Sequence, residues 1–190
     1  MSKKLIVAIF IAALAMMLVA CGGSGSNASS SSSSSNASQS KNVGDSITMH
    51  EVYCIDDADT YDEYQIVYFT AGSHTLKSLV DIMQMPKSTG VTQEYLEDFD
   101  LDTIYPNFSK FSFASKAVYD DGDYYSVVIR FDDLDVKENL LQLHDNGILE
   151  LVNRNVDNAD ADSLMSAMEK GGAQKVSLAD YEKLGLTKYL

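Results

Sequence analysis

The chain contains no tryptophan, two cysteines, two prolines and three histidines. It also has only 14 Lys and Arg against 28 Asp and Glu, a formal net charge of −14. The shortage of bases argues against a nucleic-acid binder, because affinity for a phosphate backbone comes from clustered Lys and Arg. It equally weakens docking on anionic lipid through basic side chains. Two cysteines are too few for a thiolate metal cluster. His50, His74 and His144 show no ligand spacing of the zinc-enzyme type. There is no nucleophile elbow, no phosphate-binding loop and no dinucleotide fingerprint. Lack of tryptophan weakens a sugar-stacking reading. Beyond residue 20 no apolar run approaches the roughly 18 residues of a spanning helix. What remains is a chain of 190 residues, 45% hydrophobic, with length for one ordinary domain and apolar side chains for a core.

The first twenty residues differ from the rest. Lys3 and Lys4 precede 16 apolar or small residues, Leu5 to Ala20. As a helix this run reaches only ~24 Å, short of the ~30 Å hydrocarbon core. A basic start, a short apolar stretch and a small final residue read as a secretory signal over residues 1–20. The sequence Leu18-Val19-Ala20-Cys21-Gly22 follows. It resembles the lipobox of bacterial lipoproteins. That resemblance implies cleavage between Ala20 and Cys21 and a diacylglyceryl group on the Cys21 sulfur. Two or more acyl chains give stable anchoring where one gives only marginal binding. The expected location is the cell membrane, lipid-anchored and facing outside the cytoplasm.

Residues 21–46 hold the cysteine and then a Gly, Ser, Asn and Ala segment with seven consecutive serines, Ser29 to Ser35. Such a stretch has almost nothing to bury and reads as a flexible tether. The 25 residues from Gly22 to Ser46 span roughly 25–30 Å in the r.m.s. sense. The tether looks like those of Gram-positive surface lipoproteins. Nearly all charge lies beyond it: residues 42–190 carry all 28 acids and 11 bases, a net −17.

Residues 47–190 read as a single α+β domain. Ile47–Ile55 and Glu63–Thr70 are rich in β-branched and aromatic residues and predict strands. A turn at Ala71–His74 leads to a third strand, Thr75–Met85, closed by Pro86. Thr92 is a good N-cap with Glu94 in the first turn, predicting one helix or two short ones up to Pro106. Phe111, Phe113, Ser115, Ala117 and Tyr119 alternate with Lys110, Ser112, Ala114 and Lys116. After Asp120-Asp121-Gly122-Asp123, Tyr125, Val127, Ile129 and Phe131 share one face, with Ser126 and Arg130 on the other. Alternation on both sides of a D-G turn predicts a hairpin. Asp135 is placed as the cap of a helix over Val136–His144. Ile148–Val152 reads as a short strand, Asp162 as the cap of Ser163–Lys170, and Ser177 as the cap of Leu178–Leu184. The expected architecture is an antiparallel β-sheet with three or four helices packed on one face.

The signal, lipobox and tether, then strands and a helix opening Val91-Thr92-Gln93-Glu94, resemble the YehR-like small lipoproteins. The hairpin ending Val127-Val128-Ile129-Arg130-Phe131-Asp132-Asp133-Leu134-Asp135 and the two-helix tail add to the likeness. The resemblance covers most of residues 47–190. It brings no catalytic residue.

Four sets of side chains are candidates for chemistry. Cys54 could act as a nucleophile, but His50 lies four residues away, about 13 Å along a strand, beyond hydrogen-bond reach. His74 or His144 could approach it only through the fold. A buried small hydrophobe is the better reading of Cys54. Asn158, Asp160, Asp162 and Glu169 match positions 1, 3, 5 and 12 of an EF-hand loop, yet Ser163 stands where the turn needs Gly. An acidic N-cap explains them better. Acid clusters at Asp56–Asp59 with Asp62-Glu63, Asp120–Asp123 and Asp132–Asp135 suit turns and caps, with a weak calcium site as the alternative. Tyr61, Tyr64 and Tyr68, with Tyr119, Tyr124 and Tyr125, read as cross-strand packing before a ligand surface. The expectation is thus an extracytoplasmic, non-enzymatic module for binding or envelope support, with no cofactor, no nucleic acid and the membrane reached through Cys21. Calcium-dependent binding is the alternative, and a thiol or carboxylate enzyme is the alternative of another class.

Overall fold

The computed structural model describes residues 47–58, 61–149 and 157–189. Six strands form an antiparallel sheet: β1 (Thr48–Ala58), β2 (Tyr61–Thr70), β3 (Leu76–Pro86), β4 (Ala114–Asp121), β5 (Tyr124–Phe131) and β6 (Gln174–Lys175). Their spatial order is β4-β5-β3-β2-β1-β6. Four helices accompany them: α1 (Gln93–Asp98), α2 (Lys137–Asp145), α3 (Ala161–Lys170) and α4 (Leu178–Lys183). The α+β class and the antiparallel sheet stand as the sequence implied.

Strands β1 to β3 form a meander because their connections are tight. The β2–β3 turn is knotted by Thr70, whose hydroxyl meets Ser73 and accepts from the Thr75 amide at 3.1 Å. His74 takes φ 51 there, a left-handed value that costs a side chain some strain. The β4–β5 turn needs the same region, and Gly122 supplies it at φ 71 without a Cβ.

The hairpin is where predicted, but the phase of β4 is not. Phe111 and Phe113 are buried and stacked with centroids 5.3 Å apart. A turn then intervenes, and the strand proper begins at Ala114. Pairing of Lys116 with Ile129 and Val118 with Val127 places Lys116 and Val118 on the first face of the sheet. Ser115, Ala117 and Tyr119 therefore face the other way. One extra residue outside the ladder shifts every side chain to the opposite face. Lys116 is tolerated beneath the helices because its ammonium donates to the carbonyls of Leu96, Glu97 and Phe99 at 3.0, 2.7 and 2.8 Å. Those are the orphan acceptors at the end of α1, so one cation satisfies a helix C-terminus.

Both faces of the sheet are apolar. Odd positions of the long strands, such as Val67, Leu79, Met83 and Ile129, join Leu96 of α1, Leu140 and Leu143 of α2, and Met165 of α3. Even positions Val52, Ile66, Val80, Ile82 and Val128 form a second cluster with Tyr181 of α4 and with Leu186 and Tyr189 of a final 3-10 turn. Residues of α1, α2 and α3 thus join the first cluster, and Tyr181 of α4 joins the second. An apolar second face must be covered too. Burying a Leu or Ile of this kind contributes about 1.5–3 kcal/mol each.

Several local expectations move by a residue or two. Thr92 caps α1, accepting from the Tyr95 amide at 3.2 Å, and Ser177 caps α4 as expected. Asp135 is not a cap; its carboxylate pairs with Lys77, and Val136 holds the cap position before α2 with no side-chain hydrogen bond. Asp160, not Asp162, caps α3, accepting from the Ser163 amide at 3.1 Å. The predicted strand at Ile148–Val152 falls mostly outside the described residues; Ile148 and Leu149 are buried bends. Ala20, Cys21 and the serine tether also lie outside the described residues.

Candidate functional site

A cleft of about 380 Å³ opens between α3 and the β1 margin of the sheet. Strand alternation aims Met49, Glu51 and Tyr53 into it from β1. Helical spacing brings Asp162, Ser166 and Glu169 onto the facing side of α3. Phe69 and Met165 form an apolar floor, 4% and 9% exposed. His74 closes one end from the β2–β3 turn, and Lys175 of β6 flanks the other.

Three polar pairs cross the cleft or its rim. His74 Nδ1 and Asp162 Oδ2 are 2.7 Å apart. The Tyr53 hydroxyl donates to Glu169 Oε1 at 3.2 Å, and Lys175 Nζ meets Glu51 Oε2 at 2.8 Å. Burial, and then the Glu169 carboxylate, push the Tyr53 phenol above its ordinary range, so it stays a donor. The turn and helix are held together by the backbone: Ala161 donates to His74 at 2.9 Å and Leu76 to Ala159 at 2.9 Å. The site therefore sits on tied elements. It combines three carboxylates, one ammonium, one imidazole and an apolar floor.

The sheet edge beside this cleft is only partly paired. β6 covers β1 at Tyr53 and Cys54, and the Val176 amide donates to the Val52 carbonyl at 2.8 Å. That bond makes the even residues of β1 the ones whose main-chain groups point away from β2. The Ala71 amide donating to the Ile47 carbonyl at 2.9 Å confirms the odd residues for the β2 side. Thr48 and His50 thus present outward N–H and C=O groups beyond the end of β6. No backbone bond to them occurs outside the ladder among the described residues. Ile47 and Met49 in this stretch are 53% and 46% exposed.

No family model and no curated protein matches the chain. Among solved structures it is similar to the NMR structure of a protein from Streptococcus pneumoniae TIGR4, with 15% identity and a TM-score of 0.44. That likeness covers 81% of this chain and 100% of the other. The site is accordingly read from its own geometry.

The sequence candidates separate cleanly. Cys54 is half-buried against the second cluster, with the sheet between it and the His74 cleft. His50 shares its face, but the His50 ring packs against Tyr68 and Tyr181, 5.7 and 6.2 Å away. His144 stands on α2, which packs on the first face. No Cys–His couple forms among the described residues. The EF-hand spacing fails physically: Ser163 to Glu169 are helical, Asp160 is a cap, and Asp162 and Glu169 are engaged with His74 and Tyr53.

Several acids of these loops are already paired. Asp120 pairs with Lys87, Asp132 with Arg130, and Asp135 with Lys77. Asp121 accepts from Ser126, Lys188 and Tyr189. Among the described residues no group of three His, Cys, Asp or Glu side chains could hold a metal ion. The side chains of Asp56, Asp57 and Asp59 lie outside the described residues. Most tyrosines pack: Tyr61 and Tyr64 are buried, Tyr125 lies under Lys87, and Tyr119 rests on Tyr189 at 5.2 Å.

Sequence reasoning missed a buried polar group inside the first cluster. Glu63, Gln65 and Asp81 are 1%, 3% and 2% exposed. Gln65 lies directly opposite Asp81 in the ladder, and the Tyr105 hydroxyl donates to Asp81 Oδ2 at 2.9 Å. Burial pushes the Asp81 carboxyl up to about 6, against the hydrogen bond from Tyr105. A signal existed: Glu63 and Gln65 have the parity of Val67 and Phe69, and Asp81 that of Leu79 and Met83. The period-2 rule placed them inward.

Proposed function

We propose that this chain is a lipid-anchored lipoprotein that holds a non-enzymatic binding or envelope-support domain outside the cytoplasm. The run from Lys3 through Ala20-Cys21 and the neutral serine tether support the anchor. The observation carrying the binding reading is the cleft between α3 and β1, where convergent polar groups stand over an apolar floor. Each ionisable group there is already paired, which suits recognition by exchange of partners. A nucleophile and base within reach of each other would be needed for hydrolysis. Cys54, the only thiol in the domain, lies on the other face.

Two measurements test the reading separately. Cys21→Ala moves the protein from the membrane pellet to the soluble fraction and abolishes incorporation of a labelled fatty acid; retention in the pellet overturns the anchor. For the domain, a panel of wall fragments, peptides, amines and organic anions is titrated while the cleft tyrosine and methionine resonances are followed. Ligand-dependent shifts at Tyr53, Met49 or Met165 are expected. Shifts confined to other surfaces overturn the assignment of the cleft.

A further inference from the structure

The geometry points to β1 and the cleft as one composite site for an extended, basic peptide segment of another protein. The inference rests on the binding reading above and names its ligand class. The peptide adds to the sheet in line with β6, antiparallel to β1, and places a lysine or arginine side chain in the cleft.

Three independent features carry this. First, β6 shows that this edge of β1 accepts an antiparallel strand, and the pairing ends with the Val176 amide on the Val52 carbonyl. Past it, the outward main-chain groups of Thr48 and His50 provide the hydrogen bonds that strand addition uses. Second, the stretch is apolar where it is open, with Met49 46% exposed beside it. Edge strands are ordinarily blunted by charge, proline or a bulge, and Ile47–His50 has none of these. Third, the Tyr53–Lys175 pair is of the non-hydrogen-bonded kind, and so are positions opposite Glu51 and Met49. A peptide residue opposite Met49 therefore shares the first face and enters the cleft. Glu51, Asp162 and Glu169 outnumber Lys175 there, so the complementary head is a cation. Phe69 and Met165 below accept the alkyl stem that a lysine or arginine carries.

The test uses the full-length protein in detergent micelles at physiological salt. The probe is a fluorescent, end-capped hexapeptide alternating threonine and lysine. Three analogues accompany it: one with glutamate for lysine, and two N-methylated on alternate amides in either phase. N-methylation keeps the charge and removes edge donors, so it separates strand addition from simple attraction to an acidic protein. The lysine peptide is expected to bind, the glutamate analogue and one N-methylated phase at least about tenfold more weakly. Thr48→Pro removes an outward donor without touching the β2 ladder and is expected to weaken binding about tenfold at an unchanged melting midpoint. Asp162→Asn keeps the His74 hydrogen bond, removes a charge and reduces the preference for lysine over glutamate. Should Thr48→Pro fail to fold, the N-methylated pair still decides. Equal binding of all four peptides, or none up to about 1 mM, overturns the proposal. Lysine-selective binding untouched by Thr48→Pro and Asp162→Asn removes this site but leaves a binding module, whereas the panel and the Cys21→Ala fractionation judge that broader reading.

Discussion

Replacing Asp81 by asparagine should stabilise the domain at neutral pH and not at acid pH. Asp81 is 2% exposed in the first core, its carboxyl pushed from 3.8 to about 6, chiefly by burial. A rise of about two units corresponds to about 3 kcal/mol of preference for the protonated form. In the unfolded chain the same carboxyl titrates near 3.8. Its favourable contribution is therefore fully present below that value and lost as pH rises through about 6. Above pH 7 the folded domain holds a charge that the unfolded chain would hydrate freely. Asparagine keeps an oxygen for the Tyr105 hydroxyl and carries no charge. Urea titrations of wild type and Asp81→Asn at pH 5 and pH 7.5 measure the effect. The stability difference should grow in favour of the variant by about 1–1.5 kcal/mol between the two, or several degrees in a melt. The groups facing Asp81 are Tyr105, Gln65 and, through its field on Tyr105, Glu63. Running the pair again in a Glu63→Gln background shows whether Glu63 shares the titration. A difference that is the same at both pH values would refute the reasoning, because a mere packing effect does not titrate.

Other consequences are simpler. Asp121→Ala strands the three donors Ser126, Lys188 and Tyr189, and should cost about 1–3 kcal/mol in urea unfolding at pH 7. Since the Asp121 carboxyl is held below its ordinary value, that cost should shrink as pH falls below about 4. Ile129→Ala, at a fully buried position of β5, should cost about 2–5 kcal/mol, and a smaller loss would mean that the first core collapses around the gap. Millimolar calcium should leave the melting midpoint unmoved, because the loop acids already face Lys77, Lys87, Arg130 and Lys188; a clear upward shift would restore the calcium alternative.

The parts of the fold that were legible from sequence are those written locally. The Gly122 turn with alternation on either side gave the β4–β5 hairpin, and Thr92 and Ser177 marked two helix starts because a cap is decided within three residues. The phase of β4 was not legible, since the turn after Phe113 leaves two buried aromatics just ahead of a strand with the opposite parity. The side on which the last helix packs is not legible for a different reason. Val52, Ile66, Val80 and Ile82 are apolar at even positions, and that second stripe went unweighed. The cleft was invisible because it joins Tyr53 to Glu169 and His74 to Asp162, residues 116 and 88 apart in the chain. Asp162 and Glu169 stand out in the sequence only through an EF-hand spacing that the α3 helix forbids. Only the packing of α3 on β1 and on the β2–β3 turn gives them their partners.

The ties between the final 3-10 turn and the β4–β5 hairpin bear on how the molecule comes into being. Tyr189 reaches Asp121 through its hydroxyl and Arg130 through its carbonyl, and with Leu186 and Tyr181 it roofs Val52, Ile66, Val80 and Ile82. That roof follows in the chain every strand it covers, so the strands are made before it. Until it emerges, the meander and hairpin can pair, yet one whole side of the finished sheet stays wet and sticky. Half-covered sheets of this kind associate when they meet, so the docking of Tyr189 and Leu186 closes an interval of exposure.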